Sequence, residues 1–328
     1  MSVVVIATGG TIASLTDPTT EMVQQAVTAA ALLDTVPALR QFGDDIDVVD
    51  VCRVSGWNMT PELMLVVARG VRQALSQPSV DGVVVTHGTD TAEEMAFLLD
   101  ILTGSDKPVV LACALRSGDE VSADGPRNLL NAFITARGEG LRGYGTLVCM
   151  NDELHAARWV TKSDSYRAGA FTSPDQGAIG SVTPVRGAVP LRGRLNRWNS
   201  ELPERLSHVP IIRTYTGMTG EGLPGLLSRA EGVVFEGSGL GNLPGGVQDT
   251  VTSCLDAGVP VVVATRVPTG GTHPVYGGLG GGATLRDLGA SFAGRLTPGK
   301  ARLLLATILA VAPDRAVGTF REAVRVLQ

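Results

Sequence analysis

The chain has 328 residues, 44% of them hydrophobic and 18% charged, with a net charge of −5. That supplies apolar sequence for one large core or two moderate ones and excludes disorder and low complexity. A small negative charge with no basic block argues against nucleic acid or an anionic membrane as the main partner, and no run approaches the roughly twenty apolar residues of a membrane helix.

The first strand is expected from Val3 to Ala7, where four β-branched residues run together before Thr8, Gly9, Gly10, Thr11 and Ile12. It starts too early to leave room for a secretory leader, so a cytoplasmic location is expected. A glycine pair at the end of a buried strand lets backbone N–H groups approach a bound molecule, and Thr8 and Thr11 bring hydroxyls to the same point. Leu15 to Gln25 has the composition of a loop, either a lid over that point or a plain surface connection. A helix over Ala26 to Leu33, an alternating strand over Ile46 to Val54 and an amphipathic helix over Pro61 to Leu75 follow, with Pro61 suited to the first turn.

Gly82 to Thr86 repeats the construction of the opening strand, a valine run ending in Thr86, His87, Gly88, Thr89 and Asp90, and leads into a helix opened by Glu93 and Glu94. Further strands are expected over Pro108 to Cys113 and Thr146 to Met150, with helices near Thr91 to Leu102 and Asp124 to Arg137. This alternation predicts an α/β fold with right-handed crossovers. Between about Val185 and Val209 the pattern breaks into Pro, Gly, Arg and Asn, which places a linker over 188–209 between a larger domain of 1–187 and a smaller one of 210–328. The expected class is therefore two doubly wound α/β domains, the larger N-terminal sheet parallel or mixed. In the smaller domain, strands over Ile211 to Tyr215, Gly232 to Glu236 and Pro260 to Thr265 alternate with helices over Gln248 to Ala257, Pro298 to Val311 and Val317 to Leu327. Its glycine-rich loops alone suggest a dinucleotide-binding dehydrogenase, but the phosphate-loop and complete dinucleotide patterns are absent. Cys52, Cys113, Cys149 and Cys254 are widely spaced and read as reduced core residues, and the scattered histidines give no metal-ligand spacing, so no metal and no cofactor are expected.

TGGTIAS at residues 8–14 together with VVVTHGTDTAEEMAFLLD at 83–100 resembles the bacterial-type L-asparaginase/glutaminase family, and further blocks follow in the family's order: Ser122 to Pro126, Met150 to Asp152, Val160 to Lys162, Val267 to Gly270 and Lys300 to Arg302. The resemblance implies hydrolysis of the side-chain amide of L-asparagine, and of glutamine or D-asparagine, to the acid and ammonia through a threonine acyl-enzyme. Hydrolysis of a primary amide requires a nucleophile, a proton acceptor, oxyanion donors and an acid for departing ammonia. By resemblance Thr11 is the acylated residue, Lys162 assists Thr89, Asp90 binds the substrate's α-amino group, and Gly88 and Thr89 lie at the oxyanion with a water or nearby backbone; Gly10 is expected to contact the substrate. His87 is expected behind the threonines. Asn242 matches an asparagine that reaches into a neighbouring subunit's site, so a homotetramer is implied, with a small amino-acid amide as the substrate and neither nucleic acid nor membrane as partner.

Three departures bear on substrate choice. The family's lid tyrosine has no counterpart, since no tyrosine lies between Thr11 and Gly143; Tyr276 is the preferred substitute, with a threonine or acid of the Thr16 to Glu21 segment, or the Lys162 group acting alone, as the other candidates. The family's substrate-carboxylate serine is replaced by Gly56 within Ser55, Gly56 and Trp57, leaving Ser55 or backbone N–H groups to serve, with Trp57 narrowing the pocket. The glutamate after the Val267–Gly270 block is absent. An asparaginase-fold protein that binds an amino acid or amide with little turnover is the alternative reading. A transamidosome-type subunit would carry sequence ahead of the first strand and a basic face.

Overall fold

The computed structural model describes residues 2–328, with side chains throughout except at positions 41, 43 and 44. It forms two compact units, Met1–Leu195 and Asn196–Gln328. Among the described residues no helix is long and apolar enough to cross a membrane.

In the first unit the strands are β1 (Ser2–Gly9), β2 (Ser14–Thr16), β3 (Val23–Gln25), β4 (Ile46–Val54), β5 (Val80–Thr86), β6 (Val109–Ala112), β7 (Thr146–Met150), β8 (Glu153–Ala156), β9 (Thr161–Lys162), β10 (Phe171–Thr172), β11 (Gly180–Thr183) and β12 (Gly187–Pro190). The helices are α1 (Ala29–Asp34), α2 (Pro61–Leu75), α3 (Ala92–Thr103) and α4 (Gly125–Arg137). The main sheet runs β12-β11-β8-β7-β6-β5-β1-β4. Strands β4, β1, β5, β6 and β7 are parallel, while β8, β11 and β12 continue it antiparallel. The sheet is thus mixed. Residues 188–190, assigned to the linker by composition, extend it as β12 against β11; a glycine and a proline at the ends of a short edge strand are what disguise it.

Valines dominate the central strands because both faces are covered: Val83, Val84 and Val85 are fully buried. Helix α2 shows how the covering elements are specified. The Thr60 side chain accepts from Leu63 N–H at 3.3 Å, Pro61 sits in the first turn, and Met64, Leu65, Val67, Ala68, Val71, Ala74 and Leu75 form the buried stripe. Helix α3 stops at Gly104, whose φ of 59° is left-handed.

The second unit contains β13 (Ile211–Arg213), α5 (Leu223–Leu227), β14 (Val233–Gly237), α6 (Gln248–Asp256), β15 (Val261–Thr265), α7 (Gly282–Leu288), β16 (Ser291–Phe292), α8 (Pro298–Val311) and α9 (Ala316–Leu327). Its four strands are parallel in chain order, around a core that includes Val233, Phe235, Val251, Val263 and Leu285. Its glycines have packing duties. A Cβ at Gly280, already at a φ of 74°, would strike the Leu243 carbonyl, and Leu243 N–H donates to Gly280 O at 2.9 Å.

Parallel pairing of β4, β1 and β5 brings three strand ends together. Their following turns pack backbone on backbone. A Cβ on Gly10 would collide with Gly88, and one on Gly88 would lie 2.7 Å from Gly56 N. His87, fully buried beside this contact, is held by desolvation at a pKa of about 4.

Two outcomes follow from this packing. Gly88→Ala should cost about 1–3 kcal/mol by overpacking, lowering Tm by several degrees, whereas Gly318→Ala, on an exposed helical site with open space, should be neutral or stabilising; equal Tm values for the two would contradict the close packing. The His87 shift has a definite sign: as pH falls from about 6.5 to about 4 the unfolded chain binds a proton that the folded one refuses, so stability is lost over that window, by roughly 3 kcal/mol. Denaturant titrations at pH 7 and 4.5 should show a smaller pH loss in His87→Gln than in the parent.

Candidate active site

The three turns enclose a cavity of about 270 Å³ lined by Gly10, Thr11, Ser14, Val23, Gln25, Ser55, Gly56, Trp57, Gly88, Thr89, Asp90, Leu115 and Glu120. Eight of the sequence-based site residues therefore meet at one place: Gly10, Thr11, Ser55, Gly56, Trp57, Gly88, Thr89 and Asp90. Thr11 opens a 3₁₀ turn, Thr11–Ala13, directly after the two left-handed glycines Gly9 and Gly10, with φ of 103° and 87°. A side chain at either glycine would be strained, so the sharp turn that presents the Thr11 hydroxyl requires both.

Lys162 does not line the cavity, but it is tied to two residues that do. Its Nζ donates to Thr89 Oγ1 at 2.9 Å and to Asp90 Oδ1 at 2.6 Å. The backbone supports the reach: Lys162 N–H donates to the Glu93 carboxylate at 3.0 Å, and Lys162 pairs with Phe171 in the short β9–β10 ladder. Thr89 is buried, whereas the Asp90 side chain is 45% exposed and the Lys162 side chain 19%. One oxygen of Asp90 thus faces water with charge available for a ligand cation, while Thr89 accepts from Lys162 and keeps its own proton to donate.

His87 lies behind the threonines, as the resemblance implies. Its Nδ1 is 2.7 Å from Thr8 Oγ1 and its Nε2 3.1 Å from Thr91 Oγ1. Lid and floor have further members that sequence reading did not single out. Residues 15–25, read as a loop, form the antiparallel hairpin β2–β3, with Ser14 opposite Gln25 and Thr16 opposite Val23. The two strands are three residues each, too short for a period-two signal. The hairpin is moored by Thr16 N–H to the Asp119 carboxylate at 3.0 Å and by Gly118 N–H to Ser14 O at 3.0 Å. Hydrogen bonds from Thr16 pull the Asp119 carboxyl down to about 2. Inside the turn the Asp17 carboxylate accepts from Thr19 and Thr20 N–H, an Asx turn that the Asp-Pro-Thr-Thr sequence does signal.

Leu115 and Glu120 reach the cavity from the loop after β6. That loop is held by Asp124, which accepts from Leu115 N–H, Arg116 N–H and Asn128 Nδ2. The block Ser122 to Pro126 therefore shapes the wall. Asn151 and Asp152 make a left-handed turn with φ of 53° and 64°, and Asp152 binds Arg127 and Asn131. Lys300 is fully buried in α8, and Arg302 Nε donates to Val209 O at 3.1 Å. The cysteines are free, Cys113 and Cys149 fully buried; burial pushes the Cys113 thiol up to about 12.

Asn242 and Tyr276 belong to the second unit. Asn242 closes a tight turn on Ser238, and its Oδ1 accepts from Gly282 N–H at 3.0 Å. Tyr276 is 57% exposed, and its backbone carbonyl accepts from Ala283 N–H.

Two family models match the chain: "Asparaginase, N-terminal" over residues 2–193 and "Glutaminase/Asparaginase C-terminal domain" over 208–317. A protein named probable L-asparaginase from Deinococcus radiodurans is 37% identical, covering 94% of this chain and 93% of its own. L-asparaginase 2 of Escherichia coli is 32% identical, with 95% and 90% covered. The crystal structure of a probable cytoplasmic L-asparaginase from Campylobacter jejuni superposes with a TM-score of 0.87 at 30% identity, covering 99% of this chain and 100% of that one. Two consecutive domain models, relatives aligned nearly end to end and a matching solved fold agree with the cavity at the strand ends: the chain is a two-domain member of the asparaginase family of amidohydrolases.

Proposed function

We propose that the chain hydrolyses the side-chain amide of L-asparagine, with Thr11 as nucleophile. The observation that carries this reading is the Lys162 ammonium bonded at once to Thr89 and Asp90 beside the cavity that Thr11 lines. A substrate α-ammonium entering the cavity competes for Asp90 and loosens the lysine's ion pair, turning Lys162 toward Thr89. The Thr11 oxygen adds to the amide carbon, its proton passes through the Thr89–Lys162 group to the departing nitrogen, and the C–N bond breaks to release ammonia and leave an ester on Thr11. Water then cleaves the ester by the reverse relay, giving aspartate. Backbone N–H groups in the Gly88–Thr89 and Gly10–Thr11 turns are suited to the oxyanion, since glycine packing leaves no side chain between them and a ligand.

The hairpin supports a second reading. Val23 and Gln25 occupy the lid, and neither side chain can act as the proton carrier that a tyrosine would provide. An asparaginase-fold protein that binds an amino acid without turning it over fits that lid. Ammonia release from asparagine, glutamine and their D-isomers at millimolar concentration separates the readings. As in the family resemblance, we propose a homotetramer in which Asn242 serves a neighbouring copy's site. A cytoplasmic location is proposed with it, supported by four free cysteines; a relative from Haemophilus influenzae is named a probable periplasmic L-asparaginase.

Thr11→Ala should lower kcat on the order of 10⁴-fold or more without changing Tm, because it removes a hydroxyl from a strand-end turn. Thr89→Ala and Lys162→Met should each cost on the order of 10²–10⁴-fold, and the double variant should be little worse than either single one; losses that multiply would dissolve the relay. For the lid, Tyr276→Phe should cut kcat by about tenfold or more at unchanged Tm if the phenol carries the proton, and leave kcat intact if the ring only packs. Light scattering should find at least a dimer in the active species, and a fully active monomer would remove Asn242 from its role.

A further inference from the structure

Four hydrogen-bond contacts run in a chain behind the cavity wall. Thr8 Oγ1 donates to Thr86 O at 2.8 Å and meets His87 Nδ1 at 2.7 Å; His87 Nε2 meets Thr91 Oγ1 at 3.1 Å, and Thr91 Oγ1 lies 3.0 Å from Gly56 O. Each hydroxyl carries one proton and a neutral imidazole one, so three protons serve four contacts. An imidazolium would supply the fourth, and burial of the ring opposes that form. One contact is therefore short of a proton. Both Thr8 contacts are the closer pair, which places the ring proton on Nδ1, donated to Thr8, and the Thr8 proton on Thr86 O. The Thr91 proton is left with two acceptors, the bare Nε2 of His87 and the carbonyl of Gly56.

That carbonyl belongs to the same peptide unit as the N–H of Trp57, and Gly56 and Trp57 both line the cavity. A ligand carboxylate accepting from this N–H polarises the unit and makes its carbonyl the stronger acceptor. We infer that Thr91 is a positioning residue: its proton is shared between His87 and Gly56 in the free protein and is committed to Gly56 when an amino-acid ligand occupies the cavity, which fixes the Ser55–Trp57 turn against the turn bearing Thr89 and Asp90. The inference rests on the amidohydrolase reading only for the identity of the ligand. A hydroxyl in this place does no chemistry on the amide. It sets how firmly the substrate's backbone end is held, so it acts on KM rather than on kcat.

The experiment is ¹⁵N NMR of the imidazoles in the intact protein, which has four histidines, with His87 assigned by comparison with His87→Gln. The free protein should show His87 as the neutral Nδ1–H tautomer at pH 7, and saturating L-aspartate should move its Nε2 resonance downfield as the Thr91 proton leaves. A free-state Nε2–H tautomer overturns the inference, as does an unmoved Nε2 while other cavity resonances respond to aspartate. If no cavity resonance responds, the amidohydrolase reading fails instead, and the free-state tautomer alone judges the proton shortage. In kinetics, Thr91→Val should raise KM for asparagine about tenfold with kcat within about threefold, and Thr91→Ser should restore it. An unchanged KM, or a serine variant that behaves like the valine one, overturns the role.

Discussion

Everything at the site depends on two glycines, Gly10 and Gly88, that let three turns touch through their backbones. Gly10 follows β1, Gly88 follows β5 and Gly56 follows β4; a Cβ on Gly10 would collide with Gly88 and one on Gly88 with Gly56, while one on Gly56 would lie 3.3 Å from Asp90 N. Parallel pairing alone would leave those turns a strand spacing apart, about 4.8 Å between backbones and more between the loops they lead into. Removing the side chains closes that gap. The Thr11 hydroxyl, the Thr89–Asp90 pair and the Ser55–Trp57 turn then share one small cavity.

Electrostatics at the site follows from that geometry and from one long side chain. Lys162 comes from a two-residue strand outside the main sheet, yet its ammonium joins a buried hydroxyl to a half-exposed carboxylate. An exposed ion pair contributes little to stability. Its use here is directional, because a carboxylate reachable from water can exchange a protein cation for a ligand cation. His87, by contrast, is enclosed and neutral, and its hydrogen-bonded neighbours are hydroxyls and not carboxylates. Burial thus keeps His87 neutral, while the Lys162 side chain stays in contact with a carboxylate that water reaches.

Much of this was legible in the sequence, for reasons that differ by element. The long valine strands and helix α2 announce themselves by run length and period, and the Gly-Thr turns by composition. Strands β8, β11 and β12 escaped because they are four residues each, and a strict β-α alternation predicts parallel neighbours where hairpin-like returns occur. The lid hairpin escaped for the same reason. Val23, Gln25, Leu115 and Glu120 could not be found from their own identities: a residue that lines a wall by virtue of a turn elsewhere, such as the Asp124 carboxylate gathering Leu115 and Arg116, has no local signature. Thr91 is different. It stood inside a quoted motif, and only the proton count around it gives it a role.

The hairpin's mooring has a consequence for anyone wishing to alter what the cavity accepts. One wall is largely backbone, the glycine and threonine turns, and a Cβ on Gly10 or Gly88 would collide there. The facing wall is made of side chains, Val23 and Gln25 on the hairpin, Trp57 at the rim, Leu115 and Glu120 on the loop after β6. The hairpin is fastened through main-chain N–H groups of Thr16 and Gly118 and through the Ser14 hydroxyl, which donates to Gly10 O at 3.0 Å, so the Val23 and Gln25 side chains are not part of that fastening. Substrate scope is therefore adjustable at Val23, Gln25, Trp57 and Leu115 without removing a side-chain hydrogen bond that holds the cavity, whereas Glu120 accepts from Ser117 N–H and Oγ and is less free to change.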